Sequence, residues 1–134
     1  LAVAAAKATG LPVVGSMAYD VNERGAHTMM GVTPEQEVEV LTAAGADVIG
    51  ANCGNGIVPY IQLCRLLRRL TELPLWIKPN AGLPELVQGR AVYRMSPEEF
   101  AVQARVLREA GATFIGGCCG TGPEFIRALC STQS

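Results

Sequence analysis

Ala44-Gly45-Ala46-Asp47-Val48-Ile49-Gly50-Ala51-Asn52-Cys53-Gly54-Asn55-Gly56 is answered by Ala110-Gly111-Ala112-Thr113-Phe114-Ile115-Gly116-Gly117-Cys118-Cys119-Gly120-Thr121-Gly122, at an offset of 66 residues that aligns Cys53 with Cys119. Each copy runs from a glycine through a short apolar run into glycine-flanked cysteine. Each is also preceded at nearly the same spacing by a helix start, Thr33-Pro34-Glu35-Gln36 and Ser96-Pro97-Glu98-Glu99. Both starts read as capping boxes with proline at the first helical position, and Gly45 and Gly111 stand where those helices should stop. A repeat of this length holding two strand–helix units gives about 33 residues per unit, the usual size of a βα step.

Outward from the repeat, four apolar runs alternate with four helical patterns: Pro12–Tyr19, Asp47–Cys53, Leu75–Lys78 and Thr113–Gly117. The runs are continuous rather than alternating, as strands buried on both faces of a parallel sheet read. The helix after Cys53 spans roughly Val58–Thr71, with Ile61, Cys64 and Leu67 on one stripe. Four right-handed βα units leave two architectures, an open doubly wound sheet or part of a (β/α)₈ barrel. A whole barrel needs about 250 residues; this chain has 134. Its opening stretch Leu1–Ala8 reads as mid-helix and lacks both an initiator Met and the basic region of a signal peptide. The chain is therefore expected to be a fragment of something longer.

Composition narrows the function. Hydrophobic residues make up 49% and charged residues 17%, with a net charge of −1, an ordinary globular balance. The densest basic group, Arg65, Arg68 and Arg69, reads as a solvated helix face, which argues against nucleic acid. No apolar run is long enough to span a membrane. Five cysteines, two of them adjacent, suit no closed disulfide framework and point to reduced cytoplasmic thiols or metal ligands.

Every unusual cluster falls at the C-terminal end of a strand, where both architectures place active sites: Ser16–Asp20, Asn52-Cys53-Gly54, Lys78-Pro79-Asn80-Ala81-Gly82 and Gly117-Cys118-Cys119-Gly120. In a flat sheet the strands of Cys53 and Cys118-Cys119, separated by one neighbour, hold the sulfurs about 10 Å apart. A curved barrel lets them converge, which favours that architecture. Three thiolates with one open position describe a catalytic zinc site, and a substrate thiol entering it would be deprotonated yet still nucleophilic. Two other readings stay open: buried core cysteines, and a phosphate-binding turn at Gly117–Gly122 ahead of a helix beginning at Pro123. Cys64 and Cys130 lie on apolar helix stripes and read as core filler, and the lone His27 as a loop residue. Asn80 closes the strand between the two cysteine strands and is a candidate for the open metal position or for orienting substrate; Asn52 is a second substrate-binding candidate.

Gly50-Ala51-Asn52-Cys53-Gly54, Lys78-Pro79-Asn80-Ala81-Gly82 and Gly116-Gly117-Cys118-Cys119-Gly120-Thr121 resemble the signature segments of the homocysteine S-methyltransferase family, over nearly the whole chain. The resemblance implies that residues 1–134 are a partial homocysteine- and zinc-binding domain, the C-terminal half (strands five to eight) of a TIM (β/α)₈ barrel. It implies Cys53, Cys118 and Cys119 as zinc ligands, homocysteine as the methyl acceptor and methionine as the product. Val13-Val14-Gly15-Ser16-Met17-Ala18-Tyr19-Asp20 looks most like the methionine-synthase branch, where the donor is methylcobalamin carried on another module; a small-molecule donor is the other option. The acidic residues that the family uses for the substrate's amino group have no match here. A non-catalytic zinc-binding half-barrel, completed by an N-terminal half or by self-association, is therefore the alternative.

Overall fold

The four apolar runs form one parallel sheet. In the computed structural model, which describes residues 1–131, the sheet comprises β1 (Val14–Ala18), β4 (Val48–Cys53), β5 (Leu75–Pro79) and β8 (Phe114–Ile115), hydrogen-bonded in that order. All three pairings are parallel. Spatial order follows chain order without reversal, so the switch point that defines a doubly wound sheet is absent among the described residues. The connections carry α2 (Pro34–Ala43), α3 (Ile57–Leu70) and α4 (Pro97–Glu109), with α5 (Pro123–Ser131) following β8. Each of these helices packs on the next, which lays them as a single layer on one face of the sheet.

That layer holds the core. Alternate strand residues Ile49, Ala51, Leu75 and Ile77 point into it and are fully buried. They meet Ile57, Tyr60, Leu63, Cys64 and Leu67 of α3 and Phe100, Ala104 and Leu107 of α4. Phe100 and Phe125 pack edge to face, their centroids 5.5 Å apart, a favoured aromatic geometry. Among the described residues the opposite face carries no helix. Val14, Ser16, Ala18 and Phe114 are exposed there, and Asn52, Trp76 and Lys78 are half-exposed. Trp76 leans on Phe114 at 5.6 Å between centroids, and the Lys78 ammonium lies 5.4 Å above the Trp76 ring. Parallel sheets are normally covered on both faces.

Both capping boxes form as the sequence predicts. Gln36 N–H donates to Thr33 Oγ1 at 3.4 Å and Thr33 N–H to Gln36 Oε1 at 3.0 Å; the Ser96–Glu99 pair does the same at 3.2 and 2.8 Å. Gly45 and Gly111 follow the helix ends with φ of 89° and 109°, the left-handed backbone that stops a helix cheaply. Ahead of β1, α1 (Ala2–Lys7) sends Lys7 Nζ to Asp47 Oδ2 at 2.9 Å.

Two features differ from the sequence reading. Loops after β1 and β5 each fold into a hairpin, β2–β3 (Asp20–Asn22 with Gly25–His27) and β6–β7 (Glu85–Val87 with Arg90–Val92). Gln88 and Gly89 both have positive φ, 49° and 77°, the geometry of a two-residue hairpin turn. Cys130 is exposed rather than core: α5 buries Phe125 and Leu129, spaced i and i+4, and Cys130 falls past that stripe. Cys64, in contrast, is buried as expected, and burial pushes its thiol pKa up to about 11.

Candidate metal centre

The end of β4 turns so sharply that a non-glycine residue adopts left-handed backbone. Cys53 has φ of 61° and Gly54 of 67°; the first is sterically costly and persists only when its surroundings enforce it. Tyr60, one turn into α3, supplies much of that enforcement. Its hydroxyl accepts from Tyr19 N–H at 3.1 Å, with the Asn52 carbonyl at 2.8 Å and the Tyr19 carbonyl at 3.2 Å as acceptors for its own proton. The Tyr60 ring packs so closely on Gly54 that a β-carbon there would collide with it. Burial pushes the Tyr60 pKa up to about 12, so the phenol stays protonated and able to donate.

The end of β8 bends at Gly116-Gly117, which is why the regular strand stops at Ile115. Pairing to β5 continues beyond it: Gly116 N–H reaches Ile77 O at 3.1 Å and Cys118 N–H reaches Pro79 O at 3.0 Å. Thr121 Oγ1 donates to the Cys118 carbonyl at 2.6 Å, so the hydroxyl of the suspected phosphate turn is engaged within its own loop. Glu124 packs against Gly122 at the start of α5, placing a carboxylate where a phosphate reading needs an anion to sit.

Asn80, at the end of the intervening strand, ties the two cysteine loops together. Its Nδ2 donates to Gly54 O at 2.7 Å, its Oδ1 accepts from Cys119 N–H at 3.0 Å, and its backbone N–H reaches Cys53 O at 3.1 Å. It is 8% exposed. Asn52 also sits inside a network, accepting from Ser16 Oγ at 2.6 Å and donating to Cys53 Sγ at 3.4 Å.

These braces bring three sulfurs together. Cys53 Sγ lies 3.0 Å from Cys118 Sγ, which lies 4.0 Å from Cys119 Sγ, and all three fall within 4.8 Å of one another. Ligands at about 2.3 Å from a tetrahedral ion lie about 3.8 Å apart, a value that the two measured pairs bracket. Among the described residues no other His, Cys, Asp and Glu set gathers this way. A family model for homocysteine S-methyltransferase matches residues 1–132. The chain belongs to the homocysteine S-methyltransferase family.

Among its relatives in that family, methionine synthase of Mycobacterium leprae is 40% identical over 86 residues, covering 63% of this chain, and that of Mycobacterium tuberculosis is 41% identical over the same length. The match spans 7% of each of those proteins. The homocysteine methyltransferase MmuM of Escherichia coli, in its metallated form, superposes with a TM-score of 0.73 at 26% identity, over 97% of this chain and 39% of its own. No described helix is long and apolar enough to cross a membrane.

Four residues around the homocysteine S-methyltransferase signature segments escape a sequence reading. Tyr60 is one. Tyr93, at the exit of the β6–β7 hairpin, lies over Gly120; burial first, and then the nearby Cys119, push its pKa up. Tyr19 and Glu37 form a buried pair behind the rim, with Tyr19 Oη donating to Glu37 Oε2 at 2.6 Å. Burial pushes Glu37 up to about 7 against the opposing pull of Tyr19 and of the Met17 backbone. Its Oε1 has no hydrogen-bond partner among the described residues. His27 pairs with Asp20 across the β2–β3 hairpin and is exposed.

Proposed function

We propose that this chain is the metal-carrying half of a (β/α)₈ barrel and that Cys53, Cys118 and Cys119 hold zinc for methyl transfer to the thiol of homocysteine, giving methionine. The convergence of three thiols from two strand ends within 4.8 Å carries the reading. The half-barrel assignment draws support from the helices lying on one face and from a second observation. Register pairs Gly50 with Trp76 and Trp76 with Phe114, whereas the repeat pairs Gly50 with Gly116. The repeat therefore slips two residues over two strand steps, the stagger of one residue per strand that eight strands with a shear of eight require.

Zinc, when bound, would hold the incoming thiol as a thiolate near neutral pH and fix its direction. The chain's own residues do the rest. Tyr60 fixes the Cys53 corner, and Asn80 fixes the spacing of the two loops, its Oδ1 keeping a second lone pair that can face the open position. Asn52 donates to Cys53 and lines the same rim. The methyl group would come from a donor outside this chain, methylcobalamin on another module or a small molecule. The bare sheet face and the free edges of β1 and β8 favour a second reading, in which these residues bind zinc but need an N-terminal half-barrel or a second copy before transfer occurs.

Zinc content of the reduced, purified chain tests the assignment. About one zinc per chain is expected, lost in Cys53→Ser and Cys119→Ser and kept in Cys64→Ser. Equal retention in all three would refute it.

A further inference from the structure

Lys78 is the one charged residue in the four strands of the parallel sheet, and it stands on the uncovered face. Register sets it beside Asn52 of β4. Its stem lies over Gly116, where a β-carbon would come within 3.3 Å of Lys78 Cγ. The ammonium lies 5.4 Å from the Trp76 ring centroid. The ion pairs among the described residues are Lys7 with Asp47 and Arg94 with Glu85, so Lys78 has a ring contact and no counter-ion. That is tolerable while water reaches the face. Once the face is covered, an ammonium stripped of water needs a carboxylate, because one aromatic ring offsets only part of the lost hydration.

Closure of an eight-stranded barrel gives this need a direction. The interior of such a barrel is just wide enough for side chains to fill it, so a residue in the lumen faces the strand four places round. A second copy of this chain would close the barrel about a two-fold axis. That operation sets β5 opposite its own counterpart, and Lys78 opposite a second Lys78. None of the four strands carries an Asp or Glu, so neither copy's sheet supplies an anion. Like charges set against each other in this way oppose association.

We propose that the open face receives a distinct half-barrel whose strand opposite β5 carries an Asp or Glu against Lys78, and that Lys78 bars closure by a second copy. The inference rests on the half-barrel reading made above and chooses between the two completions considered there. The superposed region is 39% of the MmuM chain, so a relative of known structure has ample sequence for a different second half.

Mixing charge variants tests this on the full chain, with solution mass and zinc content read together. Wild type and Lys78→Glu are each expected to stay monomeric, since either alone would set like charges across the lumen. An equimolar mixture of the two supplies the missing carboxylate. It should run at the mass of a dimer, with association at least about a hundredfold tighter than for either chain alone. Wild type mixed with Lys78→Met, which fills the same space without charge, should gain far less. Three results would each overturn the proposal: a wild-type dimer as tight as the mixture, a glutamate mixture that stays monomeric, or a methionine mixture that matches it. Zinc retained by the wild type would leave the metal assignment standing in all three cases, and its absence would overturn that assignment separately.

Discussion

Replacing Glu37 with glutamine should flatten part of the pH dependence of stability. Glu37 is completely buried, and burial raises its pKa from an ordinary 4.5 to about 7. The folded state therefore holds this proton more tightly than the unfolded state does. Its contribution to stability is fully present below the unfolded pKa and is lost as pH rises through the folded one. At 1.36 kcal/mol per pH unit the total loss is about 3 kcal/mol, of which about 2.5 kcal/mol falls between pH 5 and pH 8. Glutamine cannot titrate, keeps an oxygen for the Tyr19 hydroxyl, and leaves every other ionisable group in place. The difference in unfolding free energy between wild type and Glu37→Gln, from urea melts at fixed temperature, isolates the effect. It should move by about 2.5 kcal/mol in the variant's favour from pH 5 to pH 8. A difference that stays constant across that range would refute the reasoning, whatever its sign.

Gly54→Ala places a β-carbon against the Tyr60 ring and the Tyr19 carbonyl at a φ of 67°; a loss of about 3 kcal/mol is expected by thermal unfolding. Asn80→Ala removes the two side-chain hydrogen bonds that link the cysteine loops and leaves only the backbone one, and should weaken metal binding about tenfold, read by competition with a chelator. Ser96→Ala removes one half of the α4 capping box and should cost about 1 kcal/mol in chemical denaturation, with metal content untouched.

The elements that could be read from sequence were those with a long signal. Continuous apolar runs such as Asp47–Cys53, and capping boxes followed by glycine stops, specify strand and helix locally, and they recur in the structure with ends moved by one or two residues. The β2–β3 and β6–β7 hairpins escaped because their strands are three residues long, too short to show a period of two. Only the turn residues Gln88-Gly89 mark one of them. The convergence of the cysteines was legible because glycine-flanked thiols ended strands two steps apart. Its supports were not. Tyr60 and Tyr93 look like ordinary aromatic residues until the fold brings them against Gly54 and Gly120. Glu37 sits between Glu35 and Glu39 in a helix start where acids are expected on dipole grounds, and nothing in that run marks which of them turns inward. Cys130 shows the limit of stripe arguments near a helix end, where one residue moves a side chain from core to surface.

The uncovered sheet face also carries an optical probe. Trp76 is the only tryptophan in the chain, and it stands on that face beside Phe114 with the Lys78 ammonium over its ring. Its fluorescence is therefore governed by water and a nearby cation, and shielding the face would move the emission to shorter wavelength. Any second polypeptide that covers this face announces itself in the colour of one indole, without a label and independently of the thiols at the strand ends.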